Sequence, residues 1–201
     1  MKKKIITVSR QFGSGGRTIA KALAEKLGYA YYDSALVEEV AKETGFDPSY
    51  IADAGEYAPG KSMLSYAFSS ATPHASGKLI ATDYLWSAQC KVILELAEKG
   101  NCVIVGRCAD YILRDRQDCL NVFIHAPTEY KAKRIVELYG VTDKSPEKRL
   151  EEKDTRRRVN YKYFTGREWG LTENYHISLD SGVLGEEKCV EIIADVVSKL
   201  S

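Results

Sequence analysis

An α/β fold in three layers, with a parallel sheet of about five strands between helices, is what this sequence predicts, and three observations predict it. Short apolar runs alternate with amphipathic stretches along most of the chain. The runs are continuous, as strands covered on both faces of a parallel sheet must be. The first run also passes into the first helix through a glycine-rich turn, "RQFGSGGR". Strand and helix in alternation build right-handed βαβ units.

In chain order, "KIITVS" is the first strand. A helix follows from about Gly15 to Leu27, with Ile19, Leu23 and Leu27 four residues apart on one face, and Gly28 stops it. "YAYYD" makes a short second strand, and helical patterns cover Ser34–Thr44 and Leu79–Lys99. "NCVIVG" (Asn101–Gly106) and "LNVFIH" (Leu120–His125) are the clearest further strands, followed by a helix from about Thr128 to Tyr139. "NYHISLD" is the last strand and Glu186–Leu200 the closing helix. Two segments escape the alternation. Ala58–Gly77, rich in Ala, Ser, Gly and Pro, reads as a flexible loop. Val141–Gly170 is too long for a connection and too basic for a core, which is the character of a lid or binding flap. The expected organisation is one domain over 1–201: a core of 1–33, 100–140 and 171–201, a substrate-side insertion of about 34–99, and a lid of about 141–170.

With 201 residues, 44% of them hydrophobic and 28% charged, the chain can bury a core of its own. A net charge of +1 gives no global attraction to nucleic acid or an acidic membrane. Locally the charges separate. Asp33–Gly60 holds seven acidic side chains against one basic, and Lys131–Lys162 eleven basic against six acidic. Such segments are either solvated faces or the place where an anionic ligand docks. Five scattered cysteines without a CxxC pair suit reduced thiols in a cytoplasmic protein. "MKKKIITVS" reads as a strand rather than a signal peptide, and no segment is long enough to span a membrane. His74, His125 and His176 are widely separated and form no metal-ligand pattern.

The glycine-rich turn carries the chemistry. Backbone N–H groups at such a turn converge on an anion at a helix N-terminus, and glycine allows both the positive φ angles and the close approach. Gly13, Gly15 and Gly16 stand directly after a strand and before a helix, the context a phosphate loop requires. Gly13, Ser14, Gly15, Gly16, Arg17 and Thr18 are therefore the candidate ATP-binding residues, with the Thr18 hydroxyl facing a magnesium ion between phosphates. The other reading is a tight strand–turn–helix connection with no ligand.

The lysine of such loops is missing. In the GxxxxGK[ST] register Arg17 stands at the lysine and Thr18 at the hydroxyl. In the GxxGxGKGT register Gly16 stands at the lysine and Arg17 one place later. One residue turns a helical side chain by about 100°, so Arg17 is not a simple replacement. Arg17, or Arg10 folding back, is placed to neutralise β- and γ-phosphate charge.

The rest of the chain resembles the cytidylate kinase-like branch of the P-loop nucleoside monophosphate kinases. The residues that carry the resemblance are "TVSRQFGSGG" (Thr7–Gly16), "YYDSALVEEVA" (Tyr31–Ala41), "VIVGRCADYIL" (Val103–Leu113), "DTRRRVNYKYFTGREWG" (Asp154–Gly170) and "YHISLDSGVLG" (Tyr175–Gly185). It implies a P-loop NTPase fold, ATP with Mg2+, and a small nucleotide as the acceptor. It also implies an acceptor site at Asp33 and Ser34, a phosphate-binding arginine at Arg107 after Gly106, and acceptor contacts from Asp154 and Arg157 in the lid. Cys108 replaces the aspartate expected after Arg107, and Glu39 replaces a further arginine, so residues that would select CMP are altered.

The chemistry of phosphoryl transfer, positioning and charge stabilisation with little covalent help, agrees with this outline. Arg17 and Arg157 are the candidate catalytic cations. Arg156, Arg157 and Arg158 point in different directions on a helix, so at most two reach one phosphate, and the others form a solvated face. Asp33 is equally a helix N-cap candidate. Tyr161, Tyr163, Phe164 and Trp169 either stack on a base or anchor the lid. Two functions remain in view. One is an ATP- and magnesium-dependent kinase acting on a CMP- or dCMP-like nucleoside monophosphate or a related small acceptor. The alternative is a P-loop protein that senses a nucleotide without transferring phosphate. Nucleic-acid binding lacks a readout motif. The acceptor and the oligomeric state are not written in the sequence.

Overall fold

A computed structural model describes residues 4–56 and 73–200, with the side chains of 73–81 excepted. Five strands, β1 (Ile5–Arg10), β2 (Ala30–Tyr32), β3 (Cys102–Val105), β4 (Cys119–His125) and β5 (Ile177–Asp180), form one sheet in the order β2-β3-β1-β4-β5. Every pairing is parallel: Ile5 stands beside Cys102 on one side and Cys119 on the other, and Val122 beside Ile177. The sheet is thus the one expected, with β1 at its centre.

The centre of the sheet explains its sequence. All six residues of β1 are buried, which a continuous apolar run serves and an alternating one would not. Ile6 and Val8 face one layer, where α1 (Gly16–Leu27) and α9 (Glu186–Lys199) supply Ile19, Leu23, Ile193 and Val197. Ile5 faces the other, packed on α2 (Ser34–Thr44), α3 (Pro48–Ala54), α4 (Pro73–Lys99) and α5 (Ala109–Ile112) through Leu36, Ile51, Ile93 and Ala109. α1 stops where Gly28 turns left-handed at φ 65° and its N–H reaches back to Ala24 and Glu25.

α6 (Thr128–Tyr139), α7 (Pro146–Thr165) and the short α8 (Ser181–Leu184) complete the fold. The segment read as a flap is mostly α7, begun by Ser145 accepting from the Lys148 N–H with Pro146 behind it, and ended by Gly166 at φ 70°. Its inner face is polar: Asp154, Arg157 and Asn160 are buried beside Leu150 and Tyr161. Most of the loop expected at Ala58–Gly77 lies outside the described residues, but from Pro73 the backbone is already helical, so α4 begins earlier than Leu79. No helix among the described residues is long and apolar enough to cross a membrane, and all five cysteines are unbridged.

Candidate active site

The carboxyl ends of β1, β3, β4 and β5 meet at one edge, where ligands of open α/β sheets bind. The loop after β1 is fastened there. The Gln11 N–H donates to Ile124 at 2.9 Å, and the Ser14 hydroxyl donates to Gln11 O (2.9 Å) or Ile124 O (3.2 Å). From the next strand's end, the Ser181 hydroxyl donates to the Ser14 carbonyl at 2.6 Å. Phe12 N–H donates to Asp154 at 2.8 Å, tying the loop to α7. Gly13 and Gly15 hold φ of 81° and 76°, and a Cβ at Gly13 would sit 2.9 Å from the Lys131 carbonyl. Gly16 opens α1, whose first-turn N–H groups have no partner within the helix and are the donors an anion cradle needs. Ser14 belongs to this loop through its backbone, since its side chain is turned into the sheet.

The cations around the loop are arranged differently from the sequence expectation. A cleft of about 420 Å³ runs along Gly13, Gly15 and Gly16 and is lined by Arg10, Arg17, Arg134, Arg149, Lys153 and Arg157. Arg17 does not fold over the loop. Its Nε lies 3.1 Å from Asp33, and the side chain is 54% exposed. That contact takes Asp33 away from capping α2, where it makes no side-chain cap bond. Ser34 is exposed at the start of the same helix. The Thr18 hydroxyl accepts from Arg134 at 2.8 Å, and Arg134 also lies 2.8 Å from Glu186.

Arg107 is buried, and its guanidinium donates to the carbonyls of Ile51 (2.7 Å) and Ala52 (3.2 Å), closing the end of α3. Its backbone is unusual. Gly106, Arg107 and Cys108 take φ of 69°, 60° and 54° in succession, a left-handed run that costs roughly 1–2 kcal/mol at each non-glycine residue. Cys108 is buried beside it, and burial pushes its thiol well up.

Glu56, which no sequence motif singled out, is the hub. Its carboxylate lies 2.5 Å from Arg10 and 3.1 Å from Arg157 Nε, with Arg17 at 3.9 Å. Burial opposes its ionisation, yet the charges of Arg10, Arg157 and Arg107 outweigh burial and hold the carboxyl far below the usual range. Arg157 also pairs with Asp154 at 3.1 Å and reaches the Arg10 carbonyl at 3.4 Å. Asp154 itself is raised, because its burial outweighs Arg157 and the Phe12 N–H. Of the three consecutive arginines only Arg157 turns inward. Arg156 pairs with Asp53 at 2.6 Å and Arg158 with Glu151 at 3.1 Å. The site thus gathers Arg17 with Asp33, and Arg157 with Asp154, around Glu56. Arg107 adjoins this group but is committed to α3.

Other participants were illegible. Lys153 lines the cleft one residue before Asp154, its ammonium lowered by burial and by Arg156. Lys131 donates to Gln11 at 2.8 Å beneath the loop. Tyr161, Phe164 and Trp169 serve as anchors, while Tyr163 is 60% exposed. Phe164 stacks on Trp86 (4.4 Å), Trp169 meets Phe123 edge-on (5.4 Å), and Tyr161 donates to buried Asp110 at 2.6 Å. Glu39 stays on the surface of α2, paired with Lys42 at 2.8 Å.

A β2-β3-β1-β4-β5 parallel sheet with a glycine cradle after its central strand is the fold of the P-loop kinases. A shikimate kinase from Acinetobacter baumannii shares it, with a TM-score of 0.55 at 17% identity over 98% of this chain and 94% of that one. The chain belongs to the cytidylate kinase-like family, whose model matches residues 5–183. It is 24% identical to a cytidylate kinase of Aeropyrum pernix, over 91% of this chain and 92% of that protein. A crystal structure of an uncharacterized protein from Eubacterium ventriosum superposes with a TM-score of 0.73 at 26% identity, covering 97% of this chain and 98% of that one.

Proposed function

We propose that this chain is a cytidylate kinase-like phosphotransferase that moves the γ-phosphoryl group of ATP to a nucleoside monophosphate of the CMP or dCMP kind. The observation that carries the reading is a single cleft in which the backbone cradle at Gly13–Gly16 faces cations drawn from β1, α1, α6 and α7. Membership of the family supports the same substrate class.

The Mg–ATP complex is the substrate, and Thr18 is the residue that fits its metal. The hydroxyl oxygen is an acceptor at the start of α1, and the hard oxygen donor suits magnesium. Loop N–H groups hold the β- and γ-phosphates. An oxygen of the acceptor's phosphate attacks the γ-phosphorus as its bond to the bridging oxygen breaks, giving ADP and a nucleoside diphosphate without net proton transfer. Charge spreads over the transferred group, and Arg157 answers it from α7, while Arg17 and Asp33 stand on the acceptor side. Residues 141–170 act as the lid that excludes water, and 34–99 as the acceptor-binding insertion. The unbridged thiols are consistent with a reducing, cytoplasmic setting.

A coupled ADP-release assay with Mg–ATP and a panel of nucleoside monophosphates tests the proposal. Release that depends on CMP or dCMP and falls roughly hundredfold in Thr18→Ala is the expected result. ATP binding with no acceptor-dependent release across the panel would remove the kinase reading and leave a nucleotide sensor.

A further inference from the structure

We propose that Arg10, the last residue of β1, supplies the phosphate-binding cation that the glycine loop lacks. The proposal rests on the reading that the cleft takes the phosphates of ATP. Gly16 occupies one of the two positions where a loop lysine would stand, and a Cβ built there would strike Arg10 Cβ and come within 2.9 Å of its Cγ. The stem of Arg10 therefore fills the space that a side chain at residue 16 would need. One site cannot hold both, so the cation comes from the strand instead of the helix.

Its head is directed accordingly. A Cβ at Gly106 would strike the Arg10 guanidinium, so the head lies between the loop and the end of β3, the two sides across which a phosphoryl group would pass. The residue is 4% exposed and lines the cleft. Glu56 engages one terminal nitrogen at 2.5 Å and fixes the direction of the group. The remaining donors, Nε and Nη2, are buried and find no hydrogen-bond partner among the described residues. Buried guanidinium donors are almost always satisfied, so a pair left over beside an anion cradle points to an anionic ligand. Two of the neighbouring cations are engaged elsewhere: Arg17 with Asp33 and Lys131 with Gln11.

Removing Arg10 alone would leave Glu56 short of a buried partner, so the test is made in a Glu56→Gln background. Calorimetric titration of Mg–ATP and of inorganic tripolyphosphate reads binding without turnover, so the outcome does not depend on the chain being a kinase. Glu56→Gln alone serves as the reference, and its own affinity for both probes is measured first. Relative to Glu56→Gln, Arg10→Gly/Glu56→Gln, which removes the Arg10 Cβ as well as its head, is expected to weaken both by ten- to hundredfold. Adding Gly16→Lys, now that the space is vacant, is expected to restore at least tenfold, whereas Gly16→Lys with Arg10 in place weakens binding. Equal affinity with and without Arg10 overturns the proposal. So does a triple variant that melts at the temperature of the double variant but gains no affinity.

Discussion

The loop at residues 11–15 and helix α7 reach the same cleft by different means. The loop is closed mainly by neutral hydrogen bonds, from Gln11 and Ser14 to β4 and from Ser181 to Ser14, with two charged contacts, Asp154 at Phe12 and Lys131 at Gln11. α7 is held chiefly by ionised groups, Arg157 with Glu56 and Asp154, and Arg156 with Asp53. A neutral network is indifferent to an incoming anion. A network of arginines and carboxylates is not, because a phosphate competes for the same guanidinium donors. The difference fits the two duties proposed for these regions: a fixed cradle, and a helix whose attachments a substrate can rearrange.

Breaking the inner pair of α7 should have the largest effect. Arg157→Ala is expected to lower turnover about a thousandfold and to cost about 3 kcal/mol, since it strips a partner from buried Glu56. Glu56→Gln in the same chain should recover much of the stability but not the rate. Urea titration and the ADP-release assay together would separate the two effects. Equal recovery of both would mean that Arg157 is structural only.

The loop is broken through its backbone. Gly13→Ala puts a Cβ at φ 81° and against the Lys131 carbonyl, for an expected loss of about 1–3 kcal/mol in denaturant unfolding. An unchanged midpoint would deny the loop its rigidity.

The pH dependence sharpens the contrast, because two buried carboxyls act in opposite senses. Glu56 is held low by arginines, so its stabilisation is present above the ordinary glutamate range and is lost as pH falls below it. Asp110, beneath Tyr161 of α7, is pushed up to about 6, chiefly by burial against the opposing Tyr161 hydrogen bond. Its folded state binds the proton more tightly, so stability is lost as pH rises from about 4 through about 6. Asp110→Asn should therefore gain on the native chain by about 2 kcal/mol across that interval. Melting at pH 4 and pH 7 measures it, and a constant difference would contradict the assignment. The smallest effect is reserved for the surface: Glu39→Gln, which unmakes the exposed pair with Lys42, should change neither stability nor turnover measurably.

What was legible follows from the same physics. β1, β3, β4, α1 and α6 announced themselves because apolar runs or stripes face the core. The glycines of the loop did so because only glycine suits the backbone of Gly13 and Gly15 and the space left at Gly16. α7 was readable as a charged flap but not as a buried helix face, since Asp154, Arg157 and Asn160 break the apolar pattern that marks burial. Glu56 carried no local signal: it meets Arg157 across 101 residues of chain. Arg107 was expected on a phosphate and lies on α3 carbonyls, a contact that depends on a short helix begun by Pro48 and absent from the sequence reading. Arg17 illustrates the limit of a register. One alignment puts it at the lysine position, and its side chain lies against Asp33.

The central claim is that the cradle and the arginines act together on one phosphoryl group. Phosphorus-31 NMR of the native chain with Mg–ATP and CMP tests it most directly. ADP and CDP resonances are expected to grow together at the expense of ATP and CMP. Growth of inorganic phosphate without a diphosphate product, or no change while ATP remains bound, would contradict it.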